Sequence, residues 1–194
     1  MGRGHGATRG SGPGGGLARN LGRRESEIKG SANERMSIFD EKGNELFRND
    51  NGDATSVSFK EGIQFMKDNI YTHNHPFVPD HPNASRFSSF SEGDWVAAVI
   101  YNVKEVRAVA NGVTYSLKRP KTGWGMVGKD KQGIIGVAFS DAKRSVTARL
   151  KYYVMNYKGN RQKALDRADQ VMSHMVNKMV AKKLGYEYTH SKTK

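Results

Sequence analysis

Two histidines and an aspartate further along the chain are the residues best suited to binding a metal ion. His73 and His75 stand at the end of a short strand-like segment, residues 70–72, and side chains two apart on a strand point to the same side. Asp94 opens a segment with helical spacing, so its carboxylate can return toward that strand end. Two imidazole nitrogens and one carboxylate oxygen hold many catalytic zinc ions, with the fourth position open to water. We therefore predict a zinc site of His73, His75 and Asp94.

A carboxylate beside such a site could act as the general base that activates water. Glu34 immediately precedes the first predicted strand and could reach the site across the sheet. Glu45 and Glu61 are also available, so the residues alone leave three candidates, of which Glu34 is the one we predict.

Hydrophobic patterning predicts an α/β fold that positions these residues. A hairpin is expected around Asn111-Gly112, the strongest short signal for one, and Ser91 is a suitable N-cap for the helix that follows it. The Met-rich stripe of the last predicted helix is expected to pack in the core. The predicted elements are strands at 36–39, 45–47, 55–59, 70–72, 106–109 and 113–117, and helices at 60–67, 94–103, 143–157 and 162–184.

Charge divides the 194-residue chain into three parts. The net charge of +13 splits into +4 over residues 1–32, −1 over 33–128 and +10 over 129–194. We predict a basic N-terminal arm, a metal-binding domain and a basic C-terminal helical region with these boundaries. Basic ends around a near-neutral middle favour a polyanionic neighbour, most simply nucleic acid bound by the arm and the C-terminal helices. A solvated surface is the alternative.

The N-terminal arm, residues 1–32, is predicted to be disordered. It holds ten of the 22 glycines and too few apolar side chains to offset the entropy of ordering. Its arginines are spaced for phosphate contacts, or the arm is a linker with no specific contact. They are Arg3, Arg9, Arg19, Arg23 and Arg24.

Composition excludes several classes of protein. The absence of cysteine excludes a disulfide scaffold, a zinc ribbon and a cysteine nucleophile. No run of 18 apolar residues is present, so no membrane-spanning helix and no membrane partner are expected.

The order of these motifs resembles a known metalloenzyme signature. His73-x-His75-Pro76 followed by Ser91-x-x-Asp94, with Glu34 upstream, resembles the JAMM motif of the JAB/MPN superfamily of zinc metallo-isopeptidases. The local sequence His-Asn-His-Pro is most similar to that of the RadC branch of this superfamily. The resemblance covers about residues 33–124 and extends to JAB-like domains of phage and mobile-element proteins.

The resemblance implies a fold and an activity. The fold would be a JAB/MPN-like mixed sheet with flanking helices, to which the C-terminal helical pair is added. His73, His75 and Asp94 would bind Zn²⁺, Glu34 would polarise the water, and Ser91 would donate to the oxyanion. The activity would be hydrolysis of a peptide or isopeptide bond in a protein partner, in the cytoplasm of a bacterial host or in a virion.

This chain departs from the family pattern at one loop. Fourteen residues, 77–90, separate Pro76 from Ser91, where the family has about seven. The loop could grip the substrate or displace Asp94, and its His81 could be an additional ligand, although a plain loop residue is the simpler interpretation.

Two other functions are also compatible with the sequence. One is a non-catalytic virion or nucleoprotein component whose basic ends hold nucleic acid. The other is a metal-dependent nuclease, an interpretation that rests on clustered histidines and positive charge.

Overall fold

A six-stranded mixed sheet with helices packed on its two faces forms the centre of the molecule. The computed structural model describes residues 16–76, 89–125 and 130–193. Within that part, no helix combines the length and apolar character needed to cross a membrane. The elements in chain order are α1 (Leu17–Ile28), β1 (Met36–Phe39), β2 (Glu45–Asn49), a 3₁₀ helix (Lys60–Phe65), β3 (Ile70–Asn74), α2 (Glu92–Ile100), β4 (Glu105–Ala110), β5 (Val113–Lys118), α3 (Lys131–Asn156), α4 (Arg161–Leu184) and β6 (Glu187–Lys192).

The sheet order places β3 in the interior of the sheet. The strands follow the order β2-β1-β3-β4-β5-β6, and β3 pairs antiparallel with β1 and parallel with β4. His73 lies opposite Met36 on one side and Ala108 on the other. Because β3 and β4 run parallel, the chain must cross over between them. That crossover contains α2, which begins near the end of β3.

Most of the predicted elements of the middle segment are confirmed. The β1–β2 hairpin, β3, α2 and the β4–β5 hairpin all form, and Asn111 and Gly112 both have positive φ, as their tight turn requires. The strand predicted at 55–59 is wrong. The Asp53 side chain accepts the backbone N–H groups of Thr55 and Ser56, so a turn replaces the strand, and a 3₁₀ helix follows it.

The C-terminal region shares its core with the middle segment. A single hydrophobic cluster contains Met36, Trp95, Ile135 and Val180, so the predicted boundary at residue 128 does not separate two cores. The predicted helix 143–157 forms but begins earlier, at Lys131, where Asp130 caps it. The methionine stripe packs against this cluster, as predicted. Strand β6, which the sequence patterns did not indicate, completes the sheet beside β5.

The prediction of a disordered arm is wrong for residues 17–28, which form α1. Two of its charged residues, Arg24 and Glu25, are buried against the sheet. Arg24 donates to the Ser37 hydroxyl at 2.8 Å and pairs with Asp50, so it is not available to phosphates. The helix buries Leu21 and Ile28 together with these polar contacts, and the low apolar content of residues 1–32 as a whole does not reveal either. Residues 1–15, including Arg3 and Arg9, lie outside the described residues.

Glu25 is expected to contribute strongly to stability. Its carboxylate accepts from Arg107 at 2.5 Å and from Thr114 at 3.3 Å. Breaking a buried pair leaves a charge without its partner, although Arg107 keeps Glu105 at 2.7 Å. We expect Glu25→Ala to lower the free energy of unfolding by about 3 kcal/mol in urea denaturation.

The exposed pair of Glu41 and Lys104 supplies the matched control. Glu41→Ala should change the free energy of unfolding by less than about 1 kcal/mol, because water screens exposed ion pairs. Equal, small effects of both variants would contradict the anchoring role of Glu25.

Candidate metal centre

The end of β3 and the first turn of α2 bring three potential metal ligands together. His73 lies on β3 and His75 directly follows the strand. Both side chains project from the same face, as their period-two spacing predicts. Asp94 occupies the third position of α2 within a capping box. The backbone N–H of Ser91 donates to Asp94 Oδ2 at 2.7 Å, and the Ser91 hydroxyl accepts from the Asp94 N–H at 3.2 Å. The helix start therefore fixes the carboxylate beside the histidines.

The donor atoms lie at distances suited to a small cation. Nε2 of His73 is 2.9 Å from Nε2 of His75 and 3.1 Å from Asp94 Oδ1, and His75 Nε2 is 3.5 Å from Asp94 Oδ2. A tetrahedral zinc with bonds of about 2.0–2.1 Å separates its ligand atoms by about 3.4 Å. Two facing Nε2 atoms share at most one proton in a hydrogen bond, whereas a cation takes a lone pair from each atom of the set. The residues therefore fit a metal ion.

The environment keeps the Asp94 carboxylate ionised. Burial alone raises its pKa, but the charges and hydrogen bonds of His73 and His75 outweigh burial and hold the pKa well below the usual range. The Tyr71 ring stacks on the His73 ring at 4.8 Å between centroids, with an angle of 6°. His73 Nδ1 is buried and has no hydrogen-bond partner among the described residues. Ring packing therefore orients this imidazole, rather than the outer hydrogen bond that many metal-bound histidines make.

Glu34, the predicted general base, lies near enough to His73, His75 and Asp94 to interact electrostatically with each of them. Burial raises the pKa of its carboxyl, the two histidines lower it, and Asp94 and Asp53 raise it further, with a raised pKa as the result. A carboxyl with a raised pKa is better matched to proton transfer near neutral pH.

The backbone around Glu34 is held from two sides. Asn74 Oδ1 accepts from the Arg35 N–H at 2.8 Å, and Asn74 Nδ2 donates to the Asn33 carbonyl at 3.1 Å. The Glu34 N–H donates to the Asp53 carbonyl at 2.6 Å. Gly52 approaches so closely that a Cβ there would lie 2.2 Å from the Glu34 carbonyl oxygen. These contacts fix the segment next to β3.

The other candidate bases are not brought to the site. Glu45 forms an ion pair with Arg48 at 2.9 Å on β2, and Glu61 is exposed on the 3₁₀ helix. Ser91, the predicted oxyanion donor, is an exposed residue whose hydroxyl donates to Asp94 Oδ2 at 2.8 Å. In this arrangement the Ser91 hydroxyl orients the Asp94 carboxylate, one of the three potential metal ligands.

Two positioning residues were missed in the sequence. Asn74, the residue between the two histidines, is buried and joins the Glu34 segment to β3. Asn177 of α4 accepts from the Trp95 indole at 2.6 Å and donates to the Phe90 carbonyl at 2.9 Å, which fixes the start of α2. The position of Asn74 between the two predicted histidine ligands was a usable signal for this residue. Asn177 carried none, because its partners are distant in sequence.

Neither the long loop nor comparison with known proteins adds to the assignment of the metal ligands, which rests on the geometry of the site. Residues 77–88, with His81, lie outside the described residues. Comparison of the chain with protein-family models, with curated proteins and with solved structures yields no match.

Proposed function

We propose that this protein is a zinc-dependent metallopeptidase or isopeptidase, related to the JAB/MPN superfamily, that hydrolyses a bond in a protein or peptide of a phage or mobile element. The observation that carries the proposal is the convergence of His73, His75 and Asp94, with Glu34 beside them. The RadC-like motif supports the same assignment. So does the order of elements, with His-x-His at the end of β3 and Ser-x-x-Asp at the start of α2.

Each residue has a defined task in this proposal. Zinc, when bound, supplies a Lewis acid for the carbonyl oxygen and for the attacking water. His73, His75 and Asp94 hold it, and the Ser91 N–H and hydroxyl keep Asp94 in place. Glu34 removes a proton from the attacking water and delivers a proton to the departing amine. To donate to an oxyanion, the Ser91 hydroxyl must turn away from Asp94.

The nuclease interpretation rests only on clustered histidines and overall positive charge, and it stays an untested alternative.

Zinc content and peptide hydrolysis test the proposal together. We expect about one zinc per chain by elemental mass spectrometry after zinc loading and desalting, and none in His73→Ala/His75→Ala. The zinc-loaded protein should cleave members of a fluorogenic peptide and isopeptide panel, and the double variant should not, because its metal ligands are gone.

A second histidine pair provides the matched control. His174 of α4 and His190 of β6 face each other with ring centroids 4.4 Å apart, and β6 is three strands away from β3 in the sheet. His174→Ala/His190→Ala should keep zinc and hydrolysis. Zinc that is lost equally in both double variants would contradict the assigned ligands, and a zinc-loaded protein inactive on the whole panel would contradict the hydrolase.

A further inference from the structure

The helical hairpin of α3 and α4 extends beyond the hydrophobic core. The last buried residue of α3 is Val146, and Leu150 packs only partly against the core. In α4, only Ala164 is buried before Val176. The ten residues that follow Val146 in α3 span about 15 Å at 1.5 Å per residue. We call residues 149–163, the end of this projection, the hairpin tip.

The hairpin tip carries positive charge without compensation. It contains five cations and no acidic residue. All five cations are exposed, and within the described part of the chain none of them forms an ion pair, whereas Lys183 at the other end of α4 pairs with Asp141. The five are Arg149, Lys151, Lys158, Arg161 and Lys163. Their charge is therefore directed to solvent or to a partner.

Three exposed tyrosines lie between Lys151 and Lys158 in the hairpin tip. Tyr152 is 72% exposed, and Met155, on the same side of α3, is 72% exposed. The rings of Tyr153 and Tyr157 lie 5.6 Å apart at an angle of 56°, and both are exposed. Asn160 caps the start of α4 by accepting from the Lys163 N–H at 3.2 Å. This local hydrogen bond orders the turn between α3 and α4, next to the tyrosines.

We propose that the hairpin tip binds single-stranded nucleic acid. Cations attract the phosphates, and exposed rings offer surfaces on which unpaired bases stack, the two elements that sequence-independent single-strand binders combine. Duplex bases are already stacked on one another and cannot use the rings. A membrane surface would need a continuous apolar face, whereas here the tyrosines form a short segment flanked by cations on both sides, at Lys151 and Lys158. This site is separate from the metal centre and does not depend on the proposed hydrolysis.

Fluorescence anisotropy on the full chain tests the proposal with two labelled 20-nucleotide probes, oligo-dT as single-stranded DNA and oligo-U as single-stranded RNA. We expect Tyr152→Ala to weaken binding by about 5-fold or more, and Tyr152→Phe to bind like the parent, because only the ring is needed for stacking. Both substitutions are at an exposed position, so folding should not change.

A charge variant tests the second element of the site. In Lys151→Gln/Arg161→Gln, affinity should fall less steeply with salt. The magnitude of the slope of log affinity against log salt should decrease by about 1.4, at about 0.7 for each lost phosphate contact. Lys178→Gln/Lys182→Gln removes the same charge from exposed positions of α4 outside the tip and should leave the slope unchanged.

Several outcomes would overturn the proposal. Affinity that is the same for Tyr152→Ala and the parent would show that the rings make no contact. An equal loss in both charge variants would show that only overall charge matters. Tighter binding to a 20-base-pair duplex or to vesicles of anionic phosphatidylserine than to oligo-dT would assign the tip to another partner.

Discussion

Replacing Asp94 by alanine is expected to abolish zinc binding at concentrations that saturate the parent protein. Asp94 supplies the sole anionic ligand of the three, and its carboxylate is held ionised by His73 and His75. Loss of an outer-shell partner alone typically costs a metal site about 10–100-fold in affinity. Removal of a direct ligand should therefore cost more than about 100-fold, because two neutral histidines hold zinc poorly.

Zinc-dependent thermal stability gives a second readout of the same variant. A ligand that binds the folded state at 100 times its Kd stabilises it by about 2.7 kcal/mol, which corresponds to a rise in Tm of about 5–10 °C for a chain of this size. The parent should show this rise when zinc is added. Asp94→Ala should show none, and zinc content should agree.

Two control variants separate metal binding from helix capping. Asp94 also completes the capping box of α2, so its loss should cost about 1 kcal/mol without any metal. Ser91→Ala disrupts the same box but keeps the carboxylate, and it should still bind zinc. Glu92→Gln removes a carboxylate from the same turn and should bind zinc like the parent. Undiminished zinc binding by Asp94→Ala would remove Asp94 from the ligand set.

The core of the candidate site could be predicted because its geometry is local. The strand period alone places His73 and His75 on one side, and Ser91 marks the helix start that carries Asp94. One further feature, the electrostatic interaction of Glu34 with the ligands, required only that β1 pair with β3. The register confirms that pairing, with Met36 opposite His73.

What the sequence did not reveal depends on partners far along the chain. Glu25 is buried because it meets Thr72, Arg107 and Thr114 on three strands, and no window around residue 25 contains them. Strand β6 is mostly exposed and polar, so it has no apolar alternation, and pairing with the edge of β5 is what orders it. Tertiary hydrogen bonding replaced the apolar signal in both cases.

Replacing Glu34 by glutamine should separate hydrolysis from metal binding. The amide is nearly isosteric with the carboxyl but cannot accept the proton of the attacking water, and general bases typically contribute about 10²–10⁴-fold to the rate. Glu34 is not one of the three converging ligands. We therefore expect the variant to retain about one zinc per chain while its kcat/KM on the cleaved panel peptide falls by about 10²–10⁴-fold.

Glu61→Gln is the matched control for this change, because Glu61 was an alternative base and is exposed on the 3₁₀ helix. It should hydrolyse the peptide at the parent rate. Zinc content decides how a loss of activity in Glu34→Gln is understood. Activity lost together with zinc would make Glu34 a contributor to metal binding, and full activity with full zinc would exclude it as the base. Activity lost with zinc retained is the combination that proton transfer by Glu34 requires, because the carboxylate then acts on the water and not on the metal site.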